Sequence, residues 1–300
     1  MTAFDDRLCW IFGSSRSGST WLLRMLSQLD RVVPIDDPHI GHHLGVWRPI
    51  PLAWATEDEP PELRTLPDFK RDRPDYFFSD CYRDAWLPAL RDLIRIRFEA
   101  QVADSGIEDP IILVKEPASH VADWLLEIFP RSRLIFLLRD GRDVVDSWLD
   151  AYREGSWATE EGAYPLSERG REALIRWQAS VWLRRTEVVQ RAYAAHDPEL
   201  RALIRYEDLR RQPTVELPKI CRVLRANPRQ ERIDEIVAIA SYERVPSSQK
   251  GDGHEIRRAK PGGWRETMSA SEQRAMHDIL APKLEELRYL KASELSTLAS

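Results

Sequence analysis

Two kinds of apolar pattern alternate along this chain. In one, four to seven consecutive residues are almost all apolar: Leu8-Cys9-Trp10-Ile11-Phe12, Ile111-Ile112-Leu113-Val114-Lys115 and Arg133-Leu134-Ile135-Phe136-Leu137-Leu138-Arg139. Runs of this length without polar alternation suit strands buried on both faces of a parallel sheet. A fourth strand is predicted at residues 200–206. In the other pattern, apolar residues recur every three or four positions. Leu22, Leu23, Leu26 and Leu29 share one helical face of residues 20–29. Helices are likewise predicted near 85–102, 121–129 (closed by Pro130), 143–152, 171–195, 215–224, 232–240 and 271–288. Strand–helix alternation of this kind predicts an α/β fold, a three-layer sandwich around a central parallel β-sheet, with helical and loop insertions in a single domain over 1–300.

Residues 34–88 break both patterns. They carry nine of the 20 prolines, together with Trp47, Trp54, Tyr76 and Phe77. That aromatic content is too high for simple disorder, so the stretch reads as a long ordered excursion on the acceptor side of a binding site.

Composition narrows the partners. At 300 residues and 43% apolar content the chain can bury a sizeable core. Asp and Glu outnumber Lys and Arg 49 to 44, so no global positive field draws it to nucleic acid or an anionic membrane. No apolar stretch approaches the roughly 20 residues that span a bilayer. The polar, partly acidic start fits no secretory signal, and a cytoplasmic location is expected. Cys9, Cys81 and Cys221 lie far apart without C-x-x-C spacing, which supports neither disulfides nor zinc, and Cys9 reads as a small core residue.

The first candidate chemistry is Gly13-Ser14-Ser15-Arg16-Ser17-Gly18-Ser19-Thr20-Trp21, directly after the first strand. A strand, a Gly/Ser-rich turn and a helix together aim free backbone N–H groups at one point, where a phosphate is stabilised by them and by the positive helix end. The spacing follows the P-loop G-x-x-x-x-G-K-[ST], which makes the expected sandwich P-loop NTPase-like, except that Ser19 replaces the lysine. That lysine reaches the β/γ-phosphates of a triphosphate, so its loss argues for a different phosphate ligand. The nearest cation is Arg16. A tight turn with a serine helix cap at Ser17 or Ser19 is the plainer reading.

A second constellation is Arg139-Asp140-Gly141-Arg142-Asp143-Val144-Val145-Asp146-Ser147. Arg139 closes a strand, where α/β folds put ligand groups, and Ser147 lies in the following helix. An arginine fork with a hydroxyl can hold a phosphate dianion; an Arg139–Asp143 salt bridge is the alternative.

With these segments the chain resembles the sulfotransferases that use 3′-phosphoadenosine 5′-phosphosulfate (PAPS). Arg16-Ser17-Gly18-Ser19-Thr20-Trp21 resembles the family's 5′-phosphosulfate loop. Arg139 and Ser147 match its 3′-phosphate pair, and Tyr206-Glu207-Asp208 its Tyr-Glu-Asp motif. Arg257-Arg258-Ala259-Lys260-Pro261-Gly262-Gly263-Trp264 resembles its closing loop R-K-G-x-x-G-x-W, with Ala259 at the first glycine. The resemblance implies that Arg16, Ser17, Gly18, Ser19 and Thr20 hold the 5′-phosphosulfate. Trp21 stacks on one adenine face and Tyr242 on the other, with Ser241 nearby and Tyr206 also in the donor site. Arg257 and Arg258 complete the 3′-phosphate cage. Without it, Tyr242 is a helix-end core aromatic and the run from Arg257 an exposed basic loop.

Sulfuryl transfer leaves charge on the departing bridge oxygen, so placement and electrostatic stabilisation do most of the work and no metal is required. The acceptor must lose a proton, which calls for a base within hydrogen-bond reach. Cytosolic members of the family have Lys-Thr-His after the second strand. Lys115-Glu116-Pro117 stands here, so Lys115 matches the lysine that steadies the sulfuryl group while Pro117 occupies the histidine position. Asp36-Asp37 offers another base: Asp37 lies 21 residues after Arg16, the spacing of the catalytic glutamate in tyrosyl-protein sulfotransferases. Glu116, His39, His42, His43 and His120 are further candidates. His39-x-x-His42-His43 lacks partners at metal-site spacing, and no metal is expected.

The reading is a sulfotransferase that moves a sulfuryl group from PAPS to a hydroxyl or amine of a small-molecule, glycan, lipid or peptide acceptor and releases adenosine 3′,5′-bisphosphate. Arg16, Asp37, Lys115 and Glu116 form the catalytic set. The rivals are a nucleoside-triphosphate kinase or NTPase with an altered loop, and a non-catalytic nucleotide-binding module.

Overall fold

All five residues of β1 (Leu8–Phe12) are buried, because this strand is the middle of a five-stranded parallel sheet. The computed structural model describes residues 3–48, 63–167, 170–254, 256–257 and 260–290. The other strands of the sheet are β2 (Val32–Asp36), β5 (Ile111–Lys115), β6 (Arg133–Leu138) and β7 (Arg201–Arg205), in the order β2-β5-β1-β6-β7. In register, Trp10 sits between Val114 and Leu134, and Ile11 between Lys115 and Ile135. Trp47–Arg48 (β3) and Arg64–Thr65 (β4) pair separately as an antiparallel ribbon.

Strand alternation sends the side chains of β1 to two covered faces. Cys9 and Ile11 join Leu113, Ile135 and Ile204 against α1 (Ser19–Leu26) and two later helices, which contribute Leu217, Ile220, Ile233 and Ile236. On the other face Trp10 meets Phe98 and Phe129 at ring separations of 6.1 and 6.2 Å. Helices on both sides of a parallel sheet make the expected three layers. Besides α1, the main helices are α2 (Ile40–Leu44), α3 (Arg83–Ala103), α4 (Ala122–Ile128), α5 (Gly141–Ala151), α6 (Arg171–Ala195), α7 (Tyr206–Arg211), α8 (Pro213–Leu224), α9 (Gln230–Ile239) and α10 (Ala270–Glu286).

The chain forms two compact units. The first runs to Arg48 and includes Arg64–Leu138 and Arg185–Arg244, and therefore holds the whole sheet; the second is built mainly from Arg139–Arg184 and the residues after Val245. Among the described residues no helix is long and apolar enough to cross a membrane.

One strand departs from expectation. β2 lies at the start of the stretch whose periodicity fails, with Pro34 inside it. Proline cannot donate to a ladder, so it demotes a run as a strand signal, yet it is tolerated where the N–H side faces out. β2 is the sheet edge and Pro34 is exposed there. Part of the 34–88 excursion, residues 49–62, falls outside the described residues.

Candidate functional site

The turn after β1 is pinned from below. A Cβ at Gly13 would stand 2.3 Å from the carbonyl oxygen of Leu137, so the backbone passes in direct contact with β6. Ser17 N–H donates to Ser14 O (3.2 Å), closing a tight turn, and Arg16 sits in left-handed backbone at φ +70°. Gly18, at φ +86°, precedes the first turn of α1. The N-terminal amides of a helix have no partners within it and form an anion site when they point at one place. The Ser17 side chain is 1% exposed, and its hydroxyl is buried without a hydrogen-bond partner in the described structure. An orphaned hydroxyl inside a loop of this geometry fits an anionic group that would supply the missing partner.

A single ammonium ties this loop to the end of the sheet. Lys115, the last residue of β5, is 4% exposed. Its Nζ donates to Thr20 Oγ1 (2.8 Å) and pairs with Asp36 Oδ1 (2.7 Å) and Asp37 Oδ2 (2.9 Å). Parallel register sets Asp36 opposite Lys115, which is why the two adjacent carboxylates arrive at one cation. Asp37 has φ +47°, a conformation that costs a non-glycine residue energy and clusters at functional sites. Burial raises its pKa, against the lowering by Lys115, and its Oδ1 is buried without a partner.

Glu116 has a different environment. It is 1% exposed, with Oε2 accepting from Ile40 N (2.9 Å) and Oε1 from Ala118 N (3.0 Å). Its carboxylate thereby joins the start of α2 to the turn after β5. Burial pushes its pKa up to about 7 despite those amides. On α2 itself, His42 is pushed down to about 4, first by burial and then by Arg185, so it is neutral at neutral pH. His120 Nε2 lies 2.7 Å from Gly45 O, and its ring lies 4.2 Å from that of Trp47. The histidines and Trp47 thus form an aromatic patch: the His39 and His42 rings are 5.4 Å apart, those of His42 and His120 5.9 Å.

Arg185, which sequence reasoning passed over, belongs to the same group. It lies on α6, is 5% exposed, and donates from Nη1 to Ser15 Oγ (2.8 Å), inside the loop. Ser15 in turn donates to Pro117 O (3.3 Å), so the residue at the family's histidine position supports the loop through its carbonyl. A signal existed: Arg185 stands at helical spacing from buried Val181, Trp182, Val188 and Val189, a charge within an apolar stripe.

Trp21 directs its indole N–H to the carbonyl oxygen of Ala240 (2.8 Å), the residue before Ser241 in the chain. Its ring meets Tyr206 edge-on at 6.0 Å. Tyr206 itself packs beneath Gly18, where a Cβ would come within 2.6 Å of its ring.

The second unit gathers the other basic segments around α5. Asp140 caps this helix, accepting from Arg142 N (3.0 Å). Arg139 precedes the cap, and its charge opposes the rise in pKa that burial imposes on Asp143. Three carboxylates, Asp143, Asp146 and Asp150, follow at helical spacing on one face. Asp143 accepts from Gly262 N (2.8 Å) and Asp150 from Gly253 N (2.9 Å). Asp146 holds the guanidinium of Arg257 in a buried ion pair, and Arg257 Nη1 also donates to Asp146 O (3.1 Å). Arg257 is thereby fixed against α5 at the residue next to buried Ser147. Arg258 and Ala259 lie outside the described residues.

Comparisons with known proteins agree with this architecture. Residues 10–227 match the model of the sulfotransferase family. Among solved structures, a mouse sulfotransferase, SULT7A1, complexed with PAP has a TM-score of 0.54 at 10% identity, covering 93% of this chain and 85% of that one. Retinol dehydratase in complex with retinol and PAP gives 0.55 at 14% identity over 93% and 81% of the two chains. Sulfotransferase STF9 from Mycobacterium avium gives 0.50 at 16% identity over 93% and 76%. At these identities the likeness is one of fold. No curated protein matches the chain significantly. The family match runs from the central strand through every other strand of the sheet and past α8, and on that extent the chain belongs to the sulfotransferase family.

Proposed function

We propose that the chain transfers the sulfuryl group of PAPS to a hydroxyl or amine acceptor. The observation that carries this reading is the Lys115 ammonium, which joins Thr20 of the anion loop to the Asp36-Asp37 turn. One buried cation thus links a place for the donor's 5′-anion to a carboxylate with an unpartnered oxygen. PAPS, when bound, supplies an activated sulfuryl group and leaves as adenosine 3′,5′-bisphosphate.

The protein's residues divide that work. Loop amides and the Ser17, Ser19 and Thr20 hydroxyls hold the 5′-anion, with Arg16 as the cation that offsets charge developing on the bridge oxygen. Trp21 and Tyr242, with Ser241, hold the adenine; Tyr206 braces the loop below them. Arg139, Ser147, Arg257 and Arg258 hold the 3′-phosphate, where guanidinium forks match a dianion. Lys115 steadies the sulfuryl group. Asp37 takes the acceptor's proton at Oδ1, and its raised pKa brings it nearer to what a base at neutral pH needs. Glu116 shapes the turn that carries Lys115, since both its oxygens accept backbone amides.

The aromatic patch of His39, His42, Trp47 and His120 supports an acceptor with apolar surface, drawn from small phenols, glycans, lipids or peptides. A cytoplasmic, single-domain enzyme without a metal completes the proposal.

Calorimetry with adenosine 3′,5′-bisphosphate tests the donor half. Binding to the wild-type protein without magnesium supports it, and magnesium-dependent ATP turnover with no bisphosphate binding overturns it in favour of an NTPase. Transfer from radiolabelled PAPS into metabolite extracts identifies the acceptor. Bisphosphate binding with no transfer to any extract favours a non-catalytic nucleotide-binding module.

A further inference from the structure

We infer that Arg185 is a binding cation for the 5′-anion of the nucleotide, acting beside Arg16 and directly on the ligand; this rests on the donor reading above. Arg185 is almost wholly buried, and its hydrogen bond in the described structure is to a neutral hydroxyl, Ser15 Oγ, at 2.8 Å. Its Nε is buried without a partner, and among the described residues it forms no ion pair.

A guanidinium carries five N–H donors in a fixed fork. Burying it without a carboxylate loses its hydration, a cost that proteins offset with a partner charge. Glu116 lies near enough to act on Arg185 electrostatically, yet its own oxygens accept from Ile40 and Ala118. His42, a second titratable group close enough to act on it, is held neutral by burial and by Arg185 itself. Arg185 therefore keeps a buried Nε with no partner on a guanidinium that reaches Ser15, between Gly13 and Gly18 of the anion loop. An anion seated in the loop is the missing partner. A cation whose only purpose was to hold the loop would need no charge, since a neutral donor could serve Ser15 equally well.

The inference is tested by two nucleotides that differ only at the 5′ end: adenosine 3′,5′-bisphosphate and adenosine 3′-monophosphate. Arg185→Met is expected to weaken the bisphosphate at least tenfold and to leave the monophosphate within about twofold of wild type. Arg185→Lys, which keeps the charge and loses the fork, is expected to fall between and decides the matter if the methionine variant does not fold. Ser15→Ala removes the hydrogen bond alone and is expected to leave both affinities within about threefold. The inference is overturned if the two nucleotides weaken equally, if neither changes, or if Ser15→Ala reproduces the loss. A wild-type protein that binds neither nucleotide overturns the donor reading, and this inference with it; one that binds both while Arg185 variants do not discriminate overturns only the inference.

Discussion

A methyl group on Gly18 would stand 2.6 Å from the ring of Tyr206, so the loop's second glycine and the first residue of α7 are fitted to one another. Gly18 also has φ +86°, which costs a non-glycine residue about 1–2 kcal/mol. Gly18→Ala therefore incurs strain and overpacking together, the latter about 1–3 kcal/mol. The expected outcome is a lower urea midpoint and weaker bisphosphate binding. Tyr206→Leu makes room beneath the loop, so the double variant should be less destabilised than the two single losses added. Chemical denaturation of the four proteins measures that coupling.

The base assignment concerns Asp37. Asp37→Asn keeps the size of the side chain and leaves Asp36 to pair with Lys115 at 2.7 Å. Donor affinity should stay near wild type while the transfer rate falls about 10²–10⁴-fold, the range for a positioned general base. Because burial raises the Asp37 pKa, the acid limb of the wild-type rate profile should lie above an ordinary aspartate's. An Asp37→Asn enzyme with wild-type turnover would move the base elsewhere.

How much of this could be read beforehand follows from how local each signal is. The anion loop and α1 occupy adjacent positions and announce themselves by glycine, serine and helical periodicity. β2 was hidden because Pro34 looks like a strand breaker until the strand is known to be an edge. Arg185 reaches Ser15 across 170 positions and Arg257 reaches Asp146 across 111, distances at which no spacing rule operates. The resemblance put Arg257 on a phosphate, while its ion pair with Asp146 needed the fold to be seen. Tyr206 entered as a donor-site residue, and the structure adds its packing under Gly18.

Glu116 should leave a trace in stability against pH. Its pKa is about 7 in the folded protein, against 4.5 for an ordinary glutamate. Between those values the folded state binds more protons than the unfolded one, so stability falls as pH rises. The shift corresponds to about 3 kcal/mol, lost progressively from roughly pH 4.5 to 7. Glu116→Gln cannot ionise. Its stability deficit relative to wild type should therefore shrink as pH rises through this window, as read from urea midpoints at several pH values. A deficit that stays constant would show that Glu116 does not titrate there.

The carboxylate stripe on α5 makes the last prediction. Asp143, Asp146 and Asp150 each hold one part of the segment from Gly253 to Gly262: Asp143 and Asp150 accept backbone amides, and Asp146 pairs with the charged Arg257. Arg257 and Asp146 are both largely buried, and removing one member of such a pair typically costs about 3–5 kcal/mol. Asp146→Asn should thus loosen the segment first. Limited trypsin digestion should cut faster after Arg257 at a temperature where the wild-type protein resists. Bisphosphate affinity should fall as well, since Arg257 would no longer be fixed beside Ser147. Asp150→Ala gives the contrast: it loses the acceptor for Gly253 N–H but leaves the Arg257 pair intact, so trypsin sensitivity should rise while affinity holds. Were Asp146→Asn to bind the bisphosphate more tightly than wild type, Asp146 would be a competitor that withholds Arg257 from the phosphate, and its assignment as the residue that positions Arg257 would be reversed.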